Sequence, residues 1–332
     1  MAGYNLKEGK YEERHVSDDE LWSALSVVFT SKSVNDTSYK YGFLKAIIDN
    51  LYNVDQDLRL TFDQLFGKFG EIYWNLVLKY GLKQKKSTKD NRASAIERVL
   101  HYAAEKYQIR EPIPYENLSP AAMLDISNMI KQKCKENVVG ALFEDTRRLF
   151  YSFSKKGEWI QINPEMYTFI CKHKLLVEKL NYYEWAKFLE KVNEEPMLTR
   201  LLNKIDESSK RTSLEKYRNI LYQEFESRNC FYCGKPLNID KTHVDHFIPW
   251  SFIKDDNLWN LVLACPDCNL KKKDKLPDIK FLTRIENRNK ILLIENYKDE
   301  MRNYRPEKLI RIYDWAQKNG YDESWYPKTI AQ

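Results

Sequence analysis

The sequence predicts a mainly α-helical protein in two parts: a helical N-terminal region broken by one small β-hairpin, and a C-terminal region organised by paired cysteines and closed by a helical tail. Three observations carry this reading. Apolar residues recur at helical spacing over most of residues 1–222. Glycine and proline are scarce, 10 and 11 in 332 residues, which argues against a loop-rich or β-rich chain. Four of the 6 cysteines form two Cys-x-x-Cys pairs late in the chain.

Ser17 and Glu20 make a capping box ahead of Leu21, Trp22, Leu25 and Val28, which share one helix face. A second helix fits residues 38–51, with Tyr41, Leu44, Ile47, Ile48 and Leu51 on one side. A third fits 62–80 and carries Phe62, Leu65, Phe66, Phe69, Ile72, Tyr73 and Leu76. Further helices fit 92–107, 120–134, 164–180 and 182–192. Residues 149–153 and 158–162 alternate apolar and polar side chains around Lys155-Lys156-Gly157, the pattern of a hairpin. The basic stretch with Lys83, Lys85, Lys86, Lys89 and Arg92 reads as a solvated loop rather than a nucleic-acid contact. Tyr182, Tyr183, Trp185 and Phe188 read as core rather than as a base-stacking platform. The tail, 281–332, returns to helical spacing with Leu309, Ile312 and Trp315 in one stripe.

Bulk composition narrows the function classes only a little. The hydrophobic fraction of 43% suffices for a proper core, and the net charge of +6 permits a polyanionic partner without requiring one. No apolar run approaches the roughly 18 residues of a membrane span. The first fourteen residues are polar and mixed in charge, unlike a secretory signal. A cytoplasmic location with no membrane contact is the expectation.

Cys134 and Cys171 stand alone inside helical patterns, whereas Cys230, Cys233, Cys265 and Cys268 are paired. In a reducing compartment such pairs point to metal rather than to disulfides. Each Cys-x-x-Cys aims two thiolates at one ion, and two such knuckles complete a tetrahedral site suited to structural Zn²⁺. Gly234 directly after the first knuckle suits its tight turn. The 31 residues between Cys233 and Cys265 exceed what a minimal zinc ribbon needs, so something else is inserted between the knuckles.

That insert contains His243-Val244-Asp245-His246-Phe247-Ile248-Pro249-Trp250-Ser251-Phe252-Ile253-Lys254-Asp255-Asp256, then Asn260 before the apolar run Leu261–Ala264, with Asn269 and Lys272 after the second knuckle. These elements resemble the HNH endonuclease family. The run from Asp245 to Asp256 is also similar to the HNH domain of RNA-guided CRISPR nucleases. The likeness covers roughly 50 residues and implies a ββα-metal fold within residues 223–332, which close with the helical tail; it says nothing direct about residues 1–222, which are expected to form a helical recognition, regulatory or oligomerisation domain. It implies a metal-dependent phosphodiesterase in which His246 is the general base and Asp245 and Asn269 offer oxygen ligands to Mg²⁺ or Mn²⁺. Asn260 would brace the loop carrying the histidine. Lys272, one helical turn after Asn269, would contact phosphate. The third motif residue is Asn269 rather than histidine, a variant within the family.

His243 shares a strand face with Asp245 by alternation, so it is either a substrate or ligand-supporting contact or an exposed strand residue. His15, His101 and His173 have no partner pattern. Lys271, Lys272, Lys273 and Lys275 form a charge run where backbone contact with nucleic acid is expected. The implied partner is nucleic acid, DNA ahead of RNA, with self-association or a protein partner assigned to the N-terminal domain. The general layout resembles bacterial HNH proteins of phage defence or restriction. Competing readings are a zinc-stabilised binding module without cleavage and an RNase.

Overall fold

A computed structural model describes residues 5–86, 92–111, 113–209, 213–225, 228–294, 297, 299–301 and 303–328. Lys89 of the basic stretch lies outside them. The chain divides into two compact units, Met1–Lys210 and Arg211–Gln332.

In the first unit, strand β1 (Glu8–Gly9) precedes helix α1 (Asp18–Ser26), whose start is fixed by the Ser17–Glu20 capping box. Helix α2 (Tyr39–Asp49) follows, then strand β2 (Arg59–Thr61), helix α3 (Phe62–Trp74) and helix α4 (Ala95–Lys106). Thr61–Gln64 and Ser94–Glu97 form capping boxes for α3 and α4, so each helix begins where a side chain satisfies its orphan amides. Helix α5 (Pro120–Asp145), strands β3 (Tyr151–Ser154) and β4 (Trp159–Ile162), and helices α6 (Pro164–Lys172), α7 (Lys174–Glu190) and α8 (Leu201–Asp206) complete the unit.

Several expectations need adjustment. The hairpin β3–β4 is there, but β1 and β2 flank it in a four-stranded antiparallel sheet of order β1-β3-β4-β2. Strands of two and three residues are too short to show a period. Helix α2 has no solvent side: all of its residues are buried, because α3, α5 and α7 surround it. Its buried Lys45 Nζ is neutralised by Asp49 at 3.0 Å and donates to Tyr182 Oη at 2.8 Å. Helix α5 continues past Cys134, its polar Lys135 reaching Glu158 at 3.0 Å. The break between α6 and α7 falls at His173, with φ −117°, rather than near 181. Tyr182, Trp185 and Phe188 are core as expected, whereas Tyr183 is exposed.

In the second unit helix α9 (Glu215–Glu224) packs on strands β5 (His243–His246) and β6 (Leu261–Ala264). Between these strands lies the short helix α10 (Trp250–Ile253), and after them come helix α11 (Pro266–Lys272) and strand β7 (Leu276–Pro277). The tail is helical as expected, α12 (Lys280–Ile294) and α13 (Pro306–Lys318), with Leu309, Ile312 and Trp315 buried. Strand β8 (Ser324–Trp325) then pairs in parallel with β7, tying the chain end back onto the domain. Arg288 of α12 is enclosed and donates to the carbonyls of Leu261 and Trp259; burial pushes its guanidinium down to about 9. Asn289 Nδ2 donates to the same Trp259 carbonyl at 2.9 Å. Helix α12 thereby braces the segment on either side of Asn260. Among the described residues, no helix is long and apolar enough to cross a membrane.

Candidate active site and metal centre

Strands β5 and β6 pair antiparallel, with His243 opposite Ala264, Asp245 opposite Val262 and His246 opposite Leu261. Cys265 follows β6 directly and is the N-cap of α11, with Pro266 in its first turn. The second knuckle and the helix after it are therefore one continuous piece. Helix α11 packs on β5, completing a ββα unit.

The first knuckle is held to the same unit. Phe231 N donates to Leu263 O of β6 at 2.9 Å, Cys230 N to Lys235 O at 2.8 Å and Gly234 N to Cys230 O at 2.9 Å. Gly234 has φ +74°, a conformation that costs a glycine nothing and closes this turn. The ligand atoms of Cys230, Cys233, Cys265 and Cys268 all lie within 4.8 Å of one another. Cys233 Sγ and Cys265 Sγ are 3.8 Å apart. A tetrahedron with Zn–S near 2.3 Å has S···S edges of about 3.8 Å, so this cluster fits Zn²⁺ and closes its coordination with sulfur alone. Burial pushes the Cys230 and Cys268 thiols up. Cys265, despite its own burial, is pulled down by hydrogen bonds from the Cys268 backbone and side chain and from Cys230 and Cys233. A dication resolves that crowding by stabilising all four thiolates together.

Polar side chains of α11 and β5 pair across the packing of helix on strand. Asp245 is 7% exposed. Its Oδ2 accepts from Tyr232 Oη at 2.5 Å and faces Lys272 Nζ at 3.1 Å. Burial, and then the charge of Asp245, push the Tyr232 phenol well above its ordinary value, so it acts as a neutral donor. Both contacts fall on Oδ2. Asn269 Nδ2 donates to Nδ1 of exposed His243 at 2.8 Å. With its amide hydrogens turned to His243, Asn269 has Oδ1 as its remaining oxygen donor. A carboxylate and an amide oxygen are the hard donors that Mg²⁺ or Mn²⁺ accepts.

Lys272 departs from expectation. It is wholly buried, with Nζ donating to the His246 carbonyl at 2.7 Å and paired with Asp245. A lysine sealed between a carboxylate and a strand carbonyl cannot reach phosphate; it pins α11 to the end of β5. Its neighbours Lys271, Lys273 and Lys275 are exposed, with Lys271 paired to Asp267 at 2.7 Å and Lys275 paired to Glu323.

Asn260 is fully buried and clamps the loop after His246. Its Nδ2 donates to Ile248 O at 2.9 Å, its Oδ1 accepts from Ile248 N at 2.8 Å, and its carbonyl accepts from Phe247 N at 2.7 Å. His246, held at the start of this loop, has Nε2 2.8 Å from Asp256 Oδ1, with both side chains buried. Two residues here had no sequence-derived role, Tyr232 and Asp256. Tyr232 sits inside the first knuckle, where an aromatic residue reads as packing. Asp256 is separated from His246 by a helix and a turn, and no periodicity marks its return.

Comparison with known proteins agrees with this geometry over the same stretch. Residues 230–278 match the family model described as HNH endonuclease. No curated protein and no solved structure matches the chain. Residues 230–278 are an HNH endonuclease domain with a four-cysteine cluster inside it.

Proposed function

We propose that the protein is a metal-dependent endonuclease that hydrolyses phosphodiester bonds of DNA, with its chemistry in the ββα unit. The observation that carries this reading is the placement of Asp245 and His246 at the end of β5 and of Asn269 on α11, which packs on that strand, beside a cysteine cluster that has no open position of its own. A pure binding module gains nothing from a buried imidazole and two oxygen donors at these positions. His246 accepts the proton of the attacking water, whose oxygen forms the new bond to phosphorus as the bond to the 3′ oxygen breaks. Asp245 and Asn269 would hold a divalent cation, which would polarise the phosphate and offset charge on the leaving oxygen. Asn260 keeps the histidine loop in place, and His243 orients Asn269. The exposed Lys271, Lys273 and Lys275 supply backbone contacts whose strength falls with salt. A role in phage defence or restriction fits such an activity, with the N-terminal unit as recognition, regulatory or oligomerisation part.

The test is incubation of the purified chain with supercoiled plasmid, linear DNA and RNA in Mg²⁺, Mn²⁺ or EDTA. Divalent-dependent nicking or cutting of DNA is expected, falling on the order of 10²–10⁴-fold in His246→Ala. Wild-type rates in His246→Ala would remove the base assignment. Binding without any cleavage would leave a nucleic-acid-binding module, and cleavage confined to RNA would change the substrate.

A further inference from the structure

We infer that Asp256 is a positioning residue for His246, fixing the imidazole with its proton on Nε2 so that Nδ1 is the nitrogen that takes the proton from water. This rests on the reading of His246 as the base.

The geometry starts at the end of β5. His246 is its last residue, and the chain then turns through α10 to Lys254, which has φ +62° and reverses the backbone. That reversal brings Asp256 back to the imidazole, with its Oδ1 2.8 Å from Nε2. Asp256 is fixed from its main chain as well. Its amide donates to Asp255 Oδ1 at 2.9 Å, and its carbonyl accepts from Tyr217 Oη of α9 at 2.9 Å. The carboxylate is therefore aimed by a turn, by a neighbouring acid and by a helix that packs on both strands.

The consequence follows from donor counting. An ionised carboxylate only accepts hydrogen bonds, and a neutral imidazole has one N–H and one lone pair. A 2.8 Å contact to Asp256 therefore places the hydrogen on Nε2 and the lone pair on Nδ1. The structure records no partner for Nδ1 among the described residues, whereas the main chain on either side of the ring is occupied: the His246 carbonyl by Lys272 and the Phe247 amide by Asn260. In the cleavage step the water proton goes to Nδ1, and the Nε2 proton stays on the ring and is not passed to Asp256. The logic is that of any buried acid that holds a catalytic histidine in one tautomer: the acid sets the orientation and does not take part in bond making.

The experiment uses the full chain, zinc-loaded, with ¹⁵N-labelled histidine and no substrate or divalent cation. The His246 resonances are assigned by their loss in His246→Ala. Wild type is expected to show the Nε2–H tautomer. In Asp256→Asn the amide can present either its oxygen or its NH₂ group, so the ring should become a mixture and kcat should fall by about 10²-fold or more with KM little changed. Asp256→Glu should restore the Nε2–H tautomer and part of the rate. A purely structural carboxylate would lower thermal stability and leave the tautomer alone. An Nδ1–H ring in wild type, or an unchanged tautomer and kcat in Asp256→Asn, overturns the proposal. Wild-type cleavage by His246→Ala would instead overturn the base assignment, so the two failures are distinguishable.

Discussion

Lys272 Nζ lies 3.1 Å from Asp245 Oδ2 and 2.7 Å from the carbonyl of His246, and the lysine is completely enclosed. A single cation therefore spans Asp245 and His246, the two consecutive residues to which the proposed function assigns the metal ligand and the base. It offsets part of the Asp245 charge and holds α11 against the end of β5.

Removing that cation leaves a buried carboxylate with Tyr232 as its one side-chain hydrogen-bond donor among the described residues. Breaking such a pair from one side typically costs about 3–5 kcal/mol. Lys272→Ala is therefore expected to destabilise the second unit by about that amount in denaturant unfolding followed by Trp fluorescence. The salt dependence of DNA binding should stay as in wild type, since a sealed lysine displaces no counterion. A stable Lys272→Ala protein with a flattened salt slope would return the residue to the phosphate-contact role.

Asn260 makes a different kind of prediction, because its amide uses both ends on one residue, Ile248. Asn260→Ala strands the Ile248 N–H and C=O in the interior, at about 1–3 kcal/mol for each group. Asn260→Asp is expected to be no better, since a carboxylate cannot donate to the Ile248 carbonyl. Hydrogen exchange at the Ile248 amide reads this directly: protection should fall in both variants. Retained protection in Asn260→Asp would mean the clamp is not held by that side chain.

How far the site could be read from sequence depends on where its parts sit along the chain. Cys265 and Cys268 are legible from the spacing of their knuckle, whereas Asp245, His246 and Asn269 are singled out by the resemblance, and the structure places them at a strand end and on the helix after the knuckle. Lys272 was legible as a neighbour of Asn269 but not in its direction, which is set by how α11 lies on β5. Asp256 and Tyr232 act across a turn and across the zinc knuckle, and sequence distance hides such contacts. The first unit shows the same division. The capping boxes at Ser17, Thr61 and Ser94 fix helix starts locally. The full burial of α2 depends on three other helices, and an apolar stripe cannot report that Lys45 and Asp49 neutralise each other on the other side.

The four-cysteine cluster should hold one Zn²⁺ per chain, measured as metal per protein by elemental analysis. The knuckles tie Phe231 to β6 and Cys265 to α11, so the ion links β6 to the helix. Cys230→Ser or Cys268→Ser is expected to lose the zinc and unfold the second unit, because metal affinity there is folding free energy. The first unit has its own aromatic core and should keep its helical circular dichroism. Soluble, fully active protein with no bound zinc would contradict this.

The catalytic cation should behave in the opposite way. Asp245 has committed Oδ2 to Tyr232 and Lys272, and Lys272 already neutralises part of its charge. That leaves one carboxylate oxygen and the Asn269 amide oxygen as protein ligands, so water and substrate phosphate must fill the rest of an octahedral shell. Mg²⁺ is commonly held this loosely. Brief chelation is therefore expected to stop cleavage while leaving the zinc stoichiometry unchanged, and added Mg²⁺ or Mn²⁺ should restore the rate. Asn269→Ala removes one of the two ligands and frees His243, so the divalent concentration for half-maximal rate should rise roughly tenfold or more. Asn269→His keeps a ligand on the same turn of α11 and should retain measurable activity, with its preference moved toward metals that favour nitrogen. Cleavage that persists in excess EDTA, or an Asn269→Ala protein with an unchanged divalent titration, would rule out a cation shared by these two residues.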